Sequence, residues 1–145
     1  MKADPSLLSS AVEEVVRWSA PVNYMKRTVV ADMTYQSDGF EPVELKAGQH
    51  LALFYAAANR DERVFENPNT FDVSRQPNRH LGFGWAEHYC LGAHLARASI
   101  KALLEQMAER VEVLERAGDP SQVMSSFVVG RKSLPIRYRI SLSAA

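Results

Sequence analysis

The sequence predicts a single α+β domain, mainly helical, in which two main helices bracket short antiparallel strands and a long irregular loop. Three observations predict this arrangement. Apolar residues recur at helical spacing near residue 10 and again after residue 90, whereas β-branched residues and turn signals alternate between them. A charged stretch with Asn-Pro-Asn and Gln-Pro-Asn separates the strands from the second helix. With 145 residues the chain is long enough to bury one core, so residues 1–145 are treated as one domain.

The first predicted helix begins after Asp4 or Ser6, either of which can cap it, and ends before Pro21. Its apolar stripe recurs near the helical period and consists of Leu7, Leu8, Ala11, Val12, Val15, Val16 and Trp18. This spacing indicates a helix that packs one face against the rest of the domain.

Short strands are predicted between this helix and the loop, at Tyr24–Val30, Met33–Gln36, Val43–Leu45 and His50–Tyr55. Asp38-Gly39 is typical of a hairpin turn and predicts that the second and third of these strands pair. Ala47-Gly48 indicates a further turn before the last of them. The region is therefore expected to form antiparallel pairs.

The stretch from Asn59 to Arg79 predicts a long ordered loop. Beyond it, apolar residues at close to i, i+4 spacing predict the strongest helix of the chain, from Leu91 to Val111. The tail predicts strands at Val111–Leu114, Phe127–Val129 and Ile136–Ile140, separated by turn signals at positions 118–120 and 130.

Charge and cysteine content exclude several classes of protein. Lys plus Arg and Asp plus Glu number 17 each, so no overall field attracts the chain to nucleic acid or to an anionic membrane. A lone cysteine excludes an intramolecular disulfide and fits a reducing compartment. No apolar run approaches the ~20 residues of a membrane helix, and the N-terminal residues 1–5 lack the apolar core of a secretory signal. We expect a cytoplasmic protein.

The lone cysteine, Cys90, directly precedes the second main helix. The unpaired N–H groups and positive dipole of a helix start stabilise a thiolate, which an iron ligand or a nucleophile requires. A buried structural cysteine is the ordinary alternative. A zinc clip with His88 and His94 lacks the usual fourth ligand. A nucleophilic pair with His88 is disfavoured because residues two apart do not easily bring an imidazole to the sulfur.

The segment HLGFGWAEHYCLG, residues 80–92, closely resembles the haem-binding loop of cytochromes P-450, F-G-x-G-x-H-x-C-x-G. Five positions match in register: Phe83, Gly84, His88, Cys90 and Gly92. Ala86 stands where the family usually has glycine. An alanine fits there if its φ is negative and is strained if its φ is positive.

A second signature, E-x-x-R, lies at Glu14 and Arg17. Alone it is weak, because i, i+3 ion pairs are common on helix surfaces. In the family this pair forms a buried network with a residue of the irregular loop, for which Arg75 is the natural candidate. Both signatures, with the AANRD run at 57–61 between them, give a resemblance from about Leu7 to Ile140. The resemblance implies the C-terminal part of the cytochrome P-450 fold.

The resemblance implies a haem-thiolate monooxygenase that inserts one oxygen atom of O2 into a terpene, sterol or other aliphatic substrate. It implies Cys90 as the axial ligand of haem b, with Glu14, Arg17 and Arg75 as the structural network. The other implied cofactor contacts are Phe83, Gly84, His88, His80, Arg27 and Gly92. Three of these residues, Arg27, His80 and His88, are implied to anchor the haem propionates.

The resemblance also implies partners. Electrons derived indirectly from NAD(P)H would arrive through a ferredoxin-type protein, for which Arg79, Arg97 and Lys101 offer a basic landing patch. A hydrophobic substrate would contact two mainly apolar segments, represented by Val22, Asn23, Met25, Phe127 and Val128.

A competing interpretation is a non-catalytic truncated or proteolytic fragment of such an enzyme. The oxygen-activating distal helix of the family, with its acid–threonine pair, has no counterpart in these 145 residues. Apolar faces that this helix and its neighbours normally cover would then promote self-association.

Overall fold

The computed structural model describes residues 4–141. Of the N-terminal residues 1–5, which are expected to lack a secretory signal, the first three lie outside the described residues. Helices α1, α2 and α3 span Leu8–Ser19, Tyr55–Ala58 and Ala93–Arg110, and 3-10 turns span Pro5–Leu7 and Ala86–His88. Strands β1 to β8 span Tyr24–Thr28, Met33–Tyr35, Val43–Leu45, His50–Phe54, Val111–Arg116, Ser121–Gln122, Arg131–Ser133 and Ile136–Ile140. The two predicted main helices are present, and the strands contribute nearly as many residues as the helices.

Helix α1 ends where its sequence predicts, but the predicted side-chain cap acts one turn earlier, because the N-cap of α1 is Leu7 and makes no side-chain hydrogen bond. The Asp4 side chain accepts a hydrogen bond of 3.0 Å from the Ser6 amide and caps the preceding 3-10 turn. At the other end Ala20 adopts a left-handed conformation, with φ of 32°, and Pro21 follows. The inner face of α1 buries Val12 and Val16 together with a charged pair. The predicted packing of one face is therefore confirmed.

All strand pairing is antiparallel and in two-stranded sheets. β1 pairs with β4, and β2 pairs with β3 across the hairpin that Asp38-Gly39 predicts. β5 pairs with β8, and β6 with β7. The predicted strand at Phe127–Val129 is wrong, because that segment forms only an isolated bridge between Val128 and Val22. Likewise Tyr55 begins α2 rather than ending a strand.

The predicted irregular loop is confirmed between α2 and α3, and α3 starts two residues later than its apolar spacing indicates. Cys90 and Gly92 form the turn into α3, whose one buried residue is Ala93. Other apolar residues on or beside α3 are exposed: Leu91 fully, Leu95 to 73% and Leu103 to 60%. The stripe of α3 therefore packs only in part, because α1 is the one helix in contact with it within residues 4–141.

None of the helices within residues 4–141 combines the length and the apolar character needed to cross a bilayer.

Candidate functional site

A buried charge network joins α1 to the irregular loop. The Arg17 guanidinium forms a two-bond fork with the Glu14 carboxylate, at 2.7 Å and 2.8 Å, and both side chains are fully buried. The remaining Arg17 donors reach the backbone carbonyls of Asn59, Pro68 and Thr70 at 2.7 Å, 2.9 Å and 3.1 Å. The buried guanidinium thus has its donors satisfied by a carboxylate and by carbonyls, which is what such a cation requires.

Arg75 completes this network, as its place in the loop suggested. Its Nε lies 3.2 Å from Glu14 Oε2, and its other nitrogens donate to the carbonyls of Glu66, Asn67 and Thr70. Burial alone would raise the pKa of Glu14, but hydrogen bonds and the two arginine charges hold it below its ordinary value. Glu14 is therefore ionised at neutral pH and anchors the loop to α1.

Asn59 links this network to the cysteine segment. The sequence gives no signal for this role apart from the AANRD run at 57–61. It is fully buried. Its side-chain amide donates to the Arg17 carbonyl at 3.2 Å, and its Oδ1 accepts the Leu81 amide at 2.7 Å. The start of the loop is thereby fastened both to α1 and to the segment that leads to Cys90.

The cysteine segment is a tight backbone turn. The Cys90 amide donates to the Phe83 carbonyl at 2.8 Å, and the Ala93 amide donates to the Cys90 carbonyl at 3.1 Å. Gly84 lies inside the turn with φ of +75°, and a Cβ there would come within 3.1 Å of the His88 carbonyl oxygen. The turn leaves the Cys90 thiol exposed immediately before α3.

The exposed thiol opens into a cavity of about 270 Å³. Its lining joins seven of the predicted site residues with two others: Val22, Met25, Arg27, Tyr55, Gly82, Phe83, Gly84, His88 and Cys90. A second cavity of about 480 Å³ shares Arg27, Tyr55 and His88 with the first. Residues far apart in the sequence thus meet around one concave surface with a thiol at its edge.

Three lining residues have polar groups with few or no partners among the described residues. Arg27 has no acidic partner within residues 4–141, and its guanidinium donates only to the Lys26 carbonyl at 2.9 Å. The ring of His88 makes no hydrogen bond to any described residue and is exposed. Tyr55, which no sequence pattern indicated, is buried on the wall between the two cavities, and its hydroxyl likewise has no partner among the described residues.

This donor set fits a haem. A thiol at a helix start suits iron ligation, and Arg27 and His88 suit the two carboxylates of a flat macrocycle. Gly92 lies beside the sulfur, since a Cβ there would be 3.9 Å from the Cys90 Sγ.

The competing metal and nucleophile interpretations lack geometric support. Within the described part of the chain, no three His, Cys, Asp or Glu side chains gather where they would hold a metal ion. No hydrogen bond joins His88 to Cys90 among the described contacts.

Both ring nitrogens of His80 make contacts within the protein. Its Nε2 is 3.0 Å from Glu13 Oε2, and its Nδ1 accepts the Gly82 amide at 3.1 Å, so Nε2 carries the proton. Burial lowers the pKa of His80, which Glu13 partly opposes. Because both ring nitrogens are engaged within the protein, neither is left to bind a propionate.

The predicted basic patch for a redox partner has fewer free charges than expected, because acidic residues of the protein pair with two of its three cations. Arg97 forms a fork with Glu13, at 2.7 Å and 2.8 Å, instead of presenting a free charge. Lys101 lies 3.9 Å from Glu105 Oε1, one turn along α3. Arg79 is the member of the three without an ion-pair partner within residues 4–141.

The two predicted substrate segments meet. The Asn23 amide donates to the Phe127 carbonyl at 2.9 Å, and Val22 bridges to Val128. Val22 and Met25 line the Cys90 cavity, whereas Phe127 packs edge-on against Tyr24 with ring centroids 5.8 Å apart. Asn23, Phe127 and Val128 therefore border the cavity wall without lining the cavity itself.

Ala86 adopts a φ of +53°, the conformation that strains an alanine. A left-handed L-residue costs roughly 1–2 kcal/mol. Ala86→Gly is therefore expected to raise the free energy of unfolding by about 1 kcal/mol in urea denaturation. Ala102→Gly, within exposed α3, is the matched control and should lower it by about 1 kcal/mol. A destabilising Ala86→Gly change would show that this φ is not a source of strain.

Known proteins resemble the chain over most of its length. The family model described as cytochrome P-450 matches residues 3–140. The chain is 44% identical over 137 residues to cytochrome P-450-terp of a Pseudomonas species, covering 94% of this chain and 31% of that protein. It is 40% identical over 139 residues to steroid C26-monooxygenase of Mycobacterium tuberculosis, covering 94% and 36%. A crystal structure of CYP108D1 from Novosphingobium aromaticivorans matches with a TM-score of 0.86 at 45% identity, covering 97% and 33%. The chain thus spans about a third of the length of these relatives.

Proposed function

Since this chain belongs to the cytochrome P-450 family, we propose that it forms the cysteine-bearing, proximal part of a haem-thiolate monooxygenase acting on a hydrophobic substrate. One observation carries this proposal: the exposed thiol of Cys90 shares a cavity with the unpaired Arg27 and with His88. When bound, haem b would supply the activation of dioxygen and the insertion of one oxygen atom into a C–H bond.

Cys90 would hold the iron through its sulfur. Cys90 lies two residues before Gly92, the N-cap of α3, and a helix start presents backbone N–H groups and the positive end of the helix dipole. Phe83 lines the same cavity as the sulfur, while Gly84 allows the turn that returns the chain to Cys90. The chain's own contribution is therefore a thiolate held in a partly apolar site.

Arg27 and His88 would bind the haem propionates. Both line the two adjoining cavities; within residues 4–141 the His88 ring has no hydrogen-bond partner and the Arg27 guanidinium donates only to the Lys26 carbonyl. A guanidinium binds a carboxylate through charge-assisted hydrogen bonds, so Arg27 would contribute the larger share. The proposal leaves out His80, whose ring nitrogens are occupied by Glu13 and Gly82.

An apolar substrate suits the cavity margin. Val22 and Met25 line the cavity, and Phe127 and Val128 lie directly behind Val22 and Tyr24. A similar protein is a steroid C26-monooxygenase, which agrees with a terpene, sterol or other aliphatic substrate. Asn23 would serve the site by its backbone and side-chain bonds to the segment at 126–127, which hold the two apolar segments together.

Electrons would come from NAD(P)H through a ferredoxin-type protein. Arg79 and Lys101 remain as exposed cations for an acidic partner, and Arg97 does not take part because Glu13 neutralises it. A cytoplasmic location is part of the proposal, since a lone ligating thiol must stay reduced.

The test is an absorption spectrum of the haem-loaded chain, reduced, with and without carbon monoxide. A thiolate ligand is expected to shift the Soret band far to the red on binding carbon monoxide. Cys90→Ala should abolish the shift, and Ser99→Ala, on an exposed position of α3, should leave it unchanged. An unshifted band that is indifferent to Cys90 would exclude thiolate ligation.

A second candidate is a non-catalytic fragment that self-associates, because the chain spans about a third of its relatives and exposes large apolar side chains. Leu91, Leu95 and Trp85 are exposed to 100%, 73% and 76% close to the cysteine turn, on a surface suited to a second copy of the chain. Light scattering is expected to show an oligomer that Leu95→Lys weakens. A stable monomer at all concentrations tested would contradict this second candidate.

A further inference from the structure

Glu13 and Arg97 form an ion pair between the two main helices that the cofactor proposal does not use. Arg97 Nε and Nη2 lie 2.7 Å and 2.8 Å from the two oxygens of Glu13, which is the fork geometry of a strong arginine–carboxylate pair. Both side chains are 29% exposed, so the pair is partly shielded from solvent. The hydrogen bond from Arg97 lowers the pKa of Glu13, which is therefore ionised at neutral pH.

Arg97 also contacts both sides of the cysteine turn. Its Nη1 donates to the Tyr89 hydroxyl at 2.8 Å, and Tyr89 directly precedes Cys90. Its guanidinium lies over the Phe83 ring, 4.5 Å from the ring centroid. The Phe83 carbonyl in turn accepts the Cys90 amide at 2.8 Å. One guanidinium therefore touches the two residues that flank or bond the cysteine.

Glu13 fastens the same turn from its other end. Its second hydrogen-bond partner is His80, at 3.0 Å, which accepts the Gly82 amide. Gly82 packs so closely on α1 that a Cβ would lie 2.7 Å from the Val16 Cγ1. The turn from residue 80 to residue 90 is thus held against α1 at both of its ends.

We propose that Glu13 and Arg97 are positioning residues that clamp the cysteine turn to α1 and so set where the Cys90 sulfur stands. The clamp rests on the haem-thiolate function proposed above. The two neighbouring glutamates of α1 then hold different segments. Glu14 anchors the irregular loop through Arg17 and Arg75, and Glu13 anchors the cysteine turn through Arg97. A partner in the outer shell of a metal ligand acts in this way by orienting the ligand.

The alternative is an ordinary interhelical ion pair, worth about 0–1 kcal/mol of stability and without effect on the cysteine. The two differ in what happens at Cys90. A clamp predicts a local loosening of the turn and a poorer thiolate ligand, whereas a simple ion pair predicts a small and uniform loss of stability.

The experiment compares Glu13→Gln with Glu105→Gln, which removes the carboxylate of the exposed Lys101–Glu105 pair on α3. In the haem-free chain, NMR hydrogen exchange follows the Cys90 amide. The clamp predicts about tenfold faster exchange at Cys90 in Glu13→Gln, with no change at the Asn59 amide, which donates to the Tyr55 carbonyl. Arg97→Lys keeps the charge but loses the fork, and it should give a smaller change of the same kind.

In the haem-loaded chain, Glu13→Gln is expected to weaken haem binding about tenfold and to lower the fraction with the red-shifted carbon monoxide band. Equal effects of Glu13→Gln and Glu105→Gln, or equal acceleration at Cys90 and Asn59, would overturn the clamp. If the wild-type chain shows no red-shifted band, the haem proposal fails on its own account, and the exchange of the Cys90 amide still decides whether the clamp exists.

Discussion

Glu14→Gln is expected to lower the free energy of unfolding by about 3–5 kcal/mol, a large share of the roughly 5–15 kcal/mol of an ordinary domain. The substitution removes the only carboxylate bonded to Arg17 within residues 4–141, while carbonyls of Asn59, Pro68 and Thr70 hold that guanidinium in its buried position. Arg17 would then be a buried cation without a counter-charge. Urea denaturation of the haem-free chain, followed by circular dichroism, measures the loss.

Glu105→Gln is the matched control for this change. Glu105 lies on exposed α3, with its oxygen 3.9 Å from the Lys101 nitrogen, so its loss should alter stability by less than about 0.5 kcal/mol. A Glu14→Gln chain as stable as Glu105→Gln would mean that the network around Arg17 does not hold the loop to α1.

Gly84→Ala is expected to reduce both the stability of the chain and its uptake of haem. A φ of +75° costs an alanine roughly 1–2 kcal/mol. In addition, the new Cβ would meet the His88 carbonyl oxygen at 3.1 Å, and this neighbour is backbone that must shift. Because the His88 carbonyl belongs to the turn that carries Cys90, the shift displaces the proposed iron ligand. Haem titration measured by absorption, together with urea denaturation, gives both effects.

Gly39→Ala separates strain from displacement. Gly39 has a nearly equal φ of +80°, in the β2–β3 hairpin, with nothing within 4 Å of an added Cβ. This control should lose roughly 1–2 kcal/mol and keep the haem uptake of the wild type. If Gly39→Ala and Gly84→Ala take up haem equally well, the cysteine turn tolerates a displaced carbonyl and the argument from Gly84 fails.

Several elements follow from short-range sequence signals, because their physical causes are local. Helix α1 is predicted by its apolar period and by Pro21 at its end, and the β2–β3 hairpin by Asp38-Gly39. The charged network of Glu14, Arg17 and Arg75 was inferred from a family pattern, and the structure brings these side chains into contact. The cavity likewise unites Cys90 with Arg27, whose register the same pattern supplied.

Other features depend on contacts between segments that are distant in the sequence, and local sequence patterns do not predict such contacts. His80 and Arg97 both carry groups that can bind an anion. From the sequence we expect His80 to bind a haem propionate and Arg97 to bind a redox partner. Both instead bind Glu13, which is 67 and 84 residues away from them, because α1 packs beside α3 and the cysteine turn.

The C-terminal tail and the backbone angles of the cysteine turn likewise depend on packing and not on local sequence. The apolar run at 127–129 has the composition of a strand, yet its contact with residues 21–23 is an isolated antiparallel bridge with two flanking backbone hydrogen bonds. The positive φ of Ala86 arises from the closing of the cysteine turn, and an alanine gives no local sign of it. Periodicity and caps thus specify which elements form, since these act within a few residues. The partners of each charge and the angles of the turn follow from how the segments pack, since burial and hydrogen-bond geometry are properties of the assembled chain.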